Sequence, residues 1–136
     1  MLSRINMCRD RVVMQIRRGG LFLTLQEFYA VVGGNYDEAV SRLMGEAMLR
    51  RFLMKFPNDP SYAVLKQAVE NENREEAFRA AHTIKGLCLN FSFGTLLASS
   101  EALTEALRHE MPDDLAELFS EVSKDYELIL DAIANL

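Results

Sequence analysis

Residues 73–90 read NREEAFRAAHTIKGLCLN, and our prediction of the fold starts from this segment. At about 100° per residue, a helix gathers five small or apolar side chains within about 40° of one direction. These side chains are Ala77, Ala81, Ile84, Cys88 and Phe91. A stripe of this kind is typical of a helix with one face packed on a core. Asn73 and Glu76 form a capping pair that opens the helix.

Helical spacing continues on both sides of this segment, and no stretch of useful length alternates as a strand does. Two short helices are predicted near 24–32 and after Asn35. The segment 46–71 is interrupted by Pro57 and Pro60, so it is either one kinked helix or two. Further helices are predicted at about 93–109 and 115–136. Short loops between long amphipathic helices force antiparallel neighbours, so we predict an all-α protein, an antiparallel up-down four-helix bundle with one or two short N-terminal helices.

Composition and charge limit the classes of function. A chain of 136 residues with 49% hydrophobic and 26% charged residues fits one globular domain. Residues 1–20 hold five arginines and one acid, which we interpret as a basic extension before a domain at 21–136. The domain itself is acidic, which argues against nucleic-acid binding. No apolar run reaches a membrane span, and the two cysteines have no metal-ligand spacing, so we expect a reduced cytoplasmic protein without a metal.

The outer face of the 73–90 helix carries the candidate functional residues. His82 lies about 140° from the buried stripe, and Lys85 and Gly86 are its neighbours one turn on. A glycine inside a helix costs roughly 1 kcal/mol relative to alanine. We interpret Gly86 as room for another molecule that approaches His82. The remaining residues of this face, which we predict to contact that partner, are Phe78, Arg79 and Leu89.

An exposed imidazole suits phosphoryl transfer. A neutral ring has a nitrogen lone pair, and with a reference pKa near roughly 6.5 histidine is mostly neutral at cytoplasmic pH. The lone pair can attack phosphorus in an aspartyl phosphate, and Lys85 can offset the charge that arrives. The chain has no glycine-rich phosphate loop, so it should receive a phosphoryl group rather than take one from ATP.

The segment Ala80-Ala81-His82-Thr83-Ile84-Lys85-Gly86 resembles the His-x-x-Lys-Gly motif of histidine-phosphotransfer (HPt) domains of bacterial phosphorelays. The resemblance covers roughly residues 25–136. It implies that His82 is phosphorylated, that Lys85 assists electrostatically and that Gly86 admits a response-regulator receiver domain. It also implies that the partners are receiver domains and a hybrid sensor kinase. The protein would be a monomeric phosphoryl carrier and not an enzyme. It would need no cofactor, apart from Mg²⁺ bound to the receiver.

Two positions depart from that family pattern. Ser92 stands where the family often has a turn glycine. Thr104 stands where the facing helix often has Gln or Glu near the histidine ring. Threonine can hydrogen-bond an imidazole or a phosphate, although over a shorter reach. We therefore predict Thr104 as a candidate partner of the ring.

Two other functions are considered. A non-phosphorylated helical adaptor could use the same apolar-rimmed face to dock receiver-type partners, with His82 incidental. A histidine-kinase dimerisation segment usually has an acid and then a proline after its histidine, whereas this chain has Thr83 and Ile84. The phosphorelay carrier is the function that we predict, and the adaptor is its alternative.

Overall fold

The computed structural model describes residues 9–20 and 22–136. Residues 1–8 of the predicted basic extension, and Leu21 at the predicted start of the domain, lie outside the described residues. The described part contains helices and no strand, which confirms the all-α prediction. Its α-helices are α1 (Arg9–Arg17), α2 (Leu25–Val32), α3 (Tyr36–Arg42), α4 (Glu46–Lys55), α5 (Ser61–Glu70), α6 (Arg74–Phe91), α7 (Gly94–Leu107) and α8 (Leu115–Ile133).

Helices α5 to α8 form the predicted up-down bundle. α6 packs between α5 and α7, and α8 packs on α7. α5 closes onto α8 through Tyr62, whose ring stacks on Tyr126 at 4.2 Å and on Phe119 at 5.9 Å between centroids. The Tyr62 and Ser123 hydroxyls share a hydrogen bond of 2.7 Å. The α5–α8 side of the bundle is therefore joined by aromatic stacking, which contributes beyond the apolar area that it buries.

The segment 46–71, which the sequence left open, contains two helices. A 3₁₀ turn, Phe56–Asn58, separates α4 from α5. The Asp59 carboxylate accepts a hydrogen bond of 2.8 Å from the Ser61 backbone N–H at the start of α5. Phe56 is buried against Phe91 and Tyr126, so the turn belongs to the core.

The N-terminal helices cover the end of the bundle where α6 ends. The Tyr29 hydroxyl of α2 donates a hydrogen bond of 2.8 Å to the Phe91 carbonyl. Phe28 of α2 packs edge-on against Phe93, at 6.0 Å between ring centroids. His82 lies earlier on the same helix, so these helices support α6 at its C-terminal end.

α1 belongs to the same core as the bundle. Val12 and Ile16, spaced by one helical turn, are both buried. The Asn135 side-chain amide donates a hydrogen bond of 2.9 Å to the Ile16 carbonyl, and Arg17 Nε lies 3.3 Å from Asp131 Oδ2. The boundary that we predicted at residue 20 is therefore not a break in the packing. The arginine-rich composition hid a narrow apolar stripe on α1.

The turn after α6 uses an unusual residue. Ser92 has a φ of 57°, a left-handed conformation that costs an L-residue roughly 1–2 kcal/mol. Its hydroxyl donates a hydrogen bond of 2.8 Å to Glu38 Oε1, and its carbonyl accepts one of 3.0 Å from the Asn35 N–H. α3 therefore stabilises a left-handed turn that has no glycine at this position.

The close contact between this turn and the Gly33-Gly34 turn gives a stability prediction. A Cβ at Gly34 would lie 2.5 Å from the Ser92 carbonyl oxygen and 2.6 Å from Tyr29 Cδ1. We expect Gly34→Ala to lower the free energy of unfolding by about 1–3 kcal/mol, because backbone has to move. Urea denaturation measures the change. Gly20→Ala is the control, since its Cβ has no neighbour closer than 3.8 Å. Equal midpoints for the two variants would contradict the described packing.

Candidate functional site

α6 presents His82 on the outside of the bundle. The five residues predicted to form its inner stripe are all buried, as predicted: Ala77, Ala81, Ile84, Cys88 and Phe91. His82 lies on the opposite face and is exposed. A helix that is fixed along one whole face holds its opposite face at a defined orientation. The imidazole is therefore exposed to solvent and is carried by a helix whose orientation is fixed.

The surface beside His82 is open at Gly86. A Cβ at this position would meet no atom within 4 Å, so packing within the described residues does not require a glycine. Phe78 is partly buried, and Leu89 is 48% exposed on the same side of the helix. The structure thus brings Phe78, His82, Gly86 and Leu89 onto one face, as their spacing predicted.

Arg79 lies to one side of this face. Its side chain is exposed and lines a shallow cleft between α5 and α6, together with Pro60 and Val64. The Arg79 carbonyl accepts a hydrogen bond of 3.0 Å from the Thr83 hydroxyl. Arg79 is therefore available to a partner that extends from His82 towards α5.

Phe78 stacks against His82. The two rings lie at 11° to each other, with 6.2 Å between their centroids. The Arg108 guanidinium lies over the Phe78 ring, at 5.2 Å from the Arg108 Cζ to the ring centroid. A residue at the end of α7 thus contacts the aromatic neighbour of the histidine.

Lys85 has an ion-pair partner on α7. Its Nζ lies 3.3 Å from Glu101 Oε2, with the lysine side chain 24% exposed and the glutamate 55% exposed. Partly exposed pairs of this kind contribute little to stability and exchange partners readily. The ammonium group of Lys85, one helical turn on from His82, is therefore engaged with a carboxylate.

Glu105 and Arg108 form a second pair next to it. Arg108 donates two hydrogen bonds to the Glu105 carboxylate, from Nη2 at 2.6 Å and from Nε at 3.2 Å. The hydrogen bonds from Arg108 lower the pKa of the Glu105 carboxyl, and the charge of Lys85 contributes in the same direction. Glu105 is therefore ionised at neutral pH and fixes the guanidinium group.

The prediction for Thr104 requires a correction. Thr104 is fully buried, and its hydroxyl donates a hydrogen bond of 2.6 Å to the Ser100 carbonyl. A hydroxyl inside the bundle that bonds its own helix is not available to the exposed ring of His82. Thr104 therefore belongs to the buried side of α7 and not to the surface around His82.

The sequence analysis missed three residues of α7 and its C-cap that pair with Lys85, cover Phe78 or hold the covering group: Glu101, Arg108 and Glu105. They are spaced by four and three residues, so they share one face of α7. That spacing was visible in the sequence. The side of α7 that meets α6 depends on how the two helices pack, and a single sequence does not give that rotation.

In the part of the chain that the structure describes, the remaining reactive groups form no second reactive site. Burial raises the pKa of the Cys88 thiol to about 12, so this cysteine is protonated and unreactive at neutral pH. Across 9–20 and 22–136, no group of three metal-ligating side chains comes together. In the same ranges, no helix combines the length and the apolar character needed to cross a membrane.

Comparison with known families identifies the family to which the chain belongs. The sequence model of the Hpt domain matches residues 47–136. The chain belongs to the HPt domain family. The match begins in α4, so α1 to α3 lie outside it. No curated protein and no solved structure matched the chain. Membership in the family supports a histidine-phosphotransfer role in phosphorelays, as a phosphoryl carrier and not a kinase.

Proposed function

We propose that this HPt domain accepts a phosphoryl group on His82 from the aspartyl phosphate of one receiver domain and passes it to the aspartate of another. The observation that carries the proposal is an exposed imidazole on a rigid helix, with open space at Gly86 and an ammonium group at Lys85. We further propose that a hybrid sensor kinase supplies the first receiver, and that the carrier acts in the cytoplasm as a monomer.

The only covalent bonds that this chain forms or breaks in the transfer are those of the imidazole. The lone pair of one ring nitrogen attacks phosphorus, the N–P bond forms, and the bond from phosphorus to the aspartyl oxygen breaks. The aspartate leaves as a carboxylate. The other ring nitrogen holds its proton until solvent removes it, and the reverse sequence delivers the phosphoryl group to the next receiver. The Mg²⁺ that shields the phosphoryl oxygens during the step would belong to the receiver.

Lys85 would change partner when the phosphoryl group arrives. Its ammonium group can turn from the Glu101 carboxylate to a phosphoryl oxygen, which carries more negative charge. Glu101 therefore competes with the phosphoryl group for Lys85. The strength of this competition determines how well the phosphorylated state is stabilised.

Removing this competition should raise the yield of phosphorylated protein. We expect Glu101→Gln to increase the yield about two- to threefold at low salt and less at high salt, because the pair is partly exposed and is screened. Phosphate-affinity gels after transfer from a receiver measure the yield. Glu121→Gln is a matched control, since it breaks the exposed Glu121–Lys124 pair on α8. An unchanged yield for Glu101→Gln would show that Glu101 does not compete with the phosphoryl group for Lys85.

The proposal is tested by incubating the protein with purified receivers that carry radiolabelled phosphate and Mg²⁺. We expect at least one receiver to lose label while this protein gains an acid-labile, base-stable label, as a phosphoramidate does. A receiver that binds the protein with unchanged affinity after His82→Gln, and that never transfers label, would overturn the proposal and favour an adaptor.

A further inference from the structure

Among the residues that the structure describes, Phe78 is the one aromatic side chain stacked on the His82 ring. Within the described residues, the ring has no hydrogen bond and no ion pair, and its contact is the near-parallel stack on Phe78. An exposed histidine without such a contact samples several rotamers, which spreads its nitrogens over many directions. Stacking on a fixed neighbour narrows that range. The ring nitrogens of a histidine held in this way sample fewer directions than those of a free histidine.

Phe78 is itself held in place from two sides. It is partly buried and packs on the core of the bundle. At the C-cap of α7, the Arg108 guanidinium covers the ring, and the Glu105 carboxylate of α7 accepts two hydrogen bonds from that guanidinium. The Phe78 ring that stacks on His82 therefore has contacts from both α6 and the C-terminal end of α7. Arg108 is exposed and has little to contribute to the stability of the fold.

We infer that Phe78 is a positioning residue that orients the His82 ring for attack on phosphorus, with Arg108 and Glu105 holding Phe78. This inference rests on the proposed function. In-line attack needs a nitrogen lone pair aimed at phosphorus, and a restricted ring reaches that geometry more often. Our sequence analysis assigned Phe78 to partner docking. The two roles differ in the kinetic quantity that they affect.

Single-turnover transfer separates orientation from docking. We expect Phe78→Leu, which keeps an apolar side chain, to lower the maximal rate of transfer about five- to tenfold, the range of an aromatic contact. The receiver concentration at half-maximal rate should stay the same. Phe78→Tyr keeps the ring and should restore the rate. A rise in the half-maximal concentration at an unchanged maximal rate would overturn the inference and assign Phe78 to docking.

Nuclear magnetic resonance on the free protein tests the stack directly. In the wild type, the ring current of Phe78 should displace the His82 ring-proton resonances, and Phe78→Leu should abolish this displacement. Arg108→Gln, an exposed change that keeps the Phe78 side chain but removes the guanidinium that covers its ring, should partly reduce the displacement and lower the maximal rate about twofold. Identical His82 resonances in wild type and Phe78→Leu would contradict the inference. Wild-type protein that accepts no label would overturn the proposed function instead.

Discussion

His82→Gln is expected to abolish phosphoryl acceptance, because an amide side chain has no basic nitrogen that can attack phosphorus. The substitution should leave the free energy of unfolding within about 0.5 kcal/mol, since the side chain is exposed. Label transfer from a phosphorylated receiver measures the loss, and circular dichroism checks the fold.

The chain offers a matched control for this experiment. Its other histidine, His109, is exposed beyond the end of α7. His109→Gln should therefore accept label at the wild-type rate. Label that persists in His82→Gln, or that disappears in His109→Gln, would place the acceptor elsewhere.

Gly86→Gln is expected to impair transfer about 10- to 100-fold, which corresponds to a steric penalty of about 1–3 kcal/mol at a close interface. Gly86→Gln should also raise the stability of the isolated domain, because glutamine is a better helix former than glycine and a Cβ here meets no neighbour. Stability and transfer should therefore change in opposite directions. Urea denaturation and single-turnover transfer measure the two quantities on the same preparation.

Gly86→Ala gives the intermediate case. A single methyl group should stabilise the fold by roughly 1 kcal/mol and reduce transfer far less than glutamine does. Transfer by Gly86→Gln at the wild-type rate would show that no partner surface approaches this side of His82. Glycine at this position would then have no explanation in the structure.

The periodicity of residues 73–90 was sufficient to predict the site-bearing helix. A helix with one buried stripe has a fixed outer face, so the exposure of His82 followed from the positions of Ala77, Ala81, Ile84 and Cys88. The bundle followed from the same reasoning, because short loops leave antiparallel packing as the economical solution.

Two features required the packed structure. Thr104 follows Ser100 by one turn and joins the buried stripe of α7, so our placement of it beside His82 was wrong. The burial of Val12 and Ile16 depends on where α8 ends, which no local pattern reveals. Both features concern the contact between helices, which depends on side chains far apart in sequence.

The most direct test is to locate the phosphoryl group on wild-type protein after transfer from a receiver. Phosphorus magnetic resonance reports the type of bond, and fragment mass spectrometry under non-acidic conditions reports the residue. We predict one phosphoramidate resonance, with the added mass confined to the fragment that contains His82. A phosphate ester, added mass on another residue, or unmodified protein beside a discharged receiver would contradict His82 as the carrier.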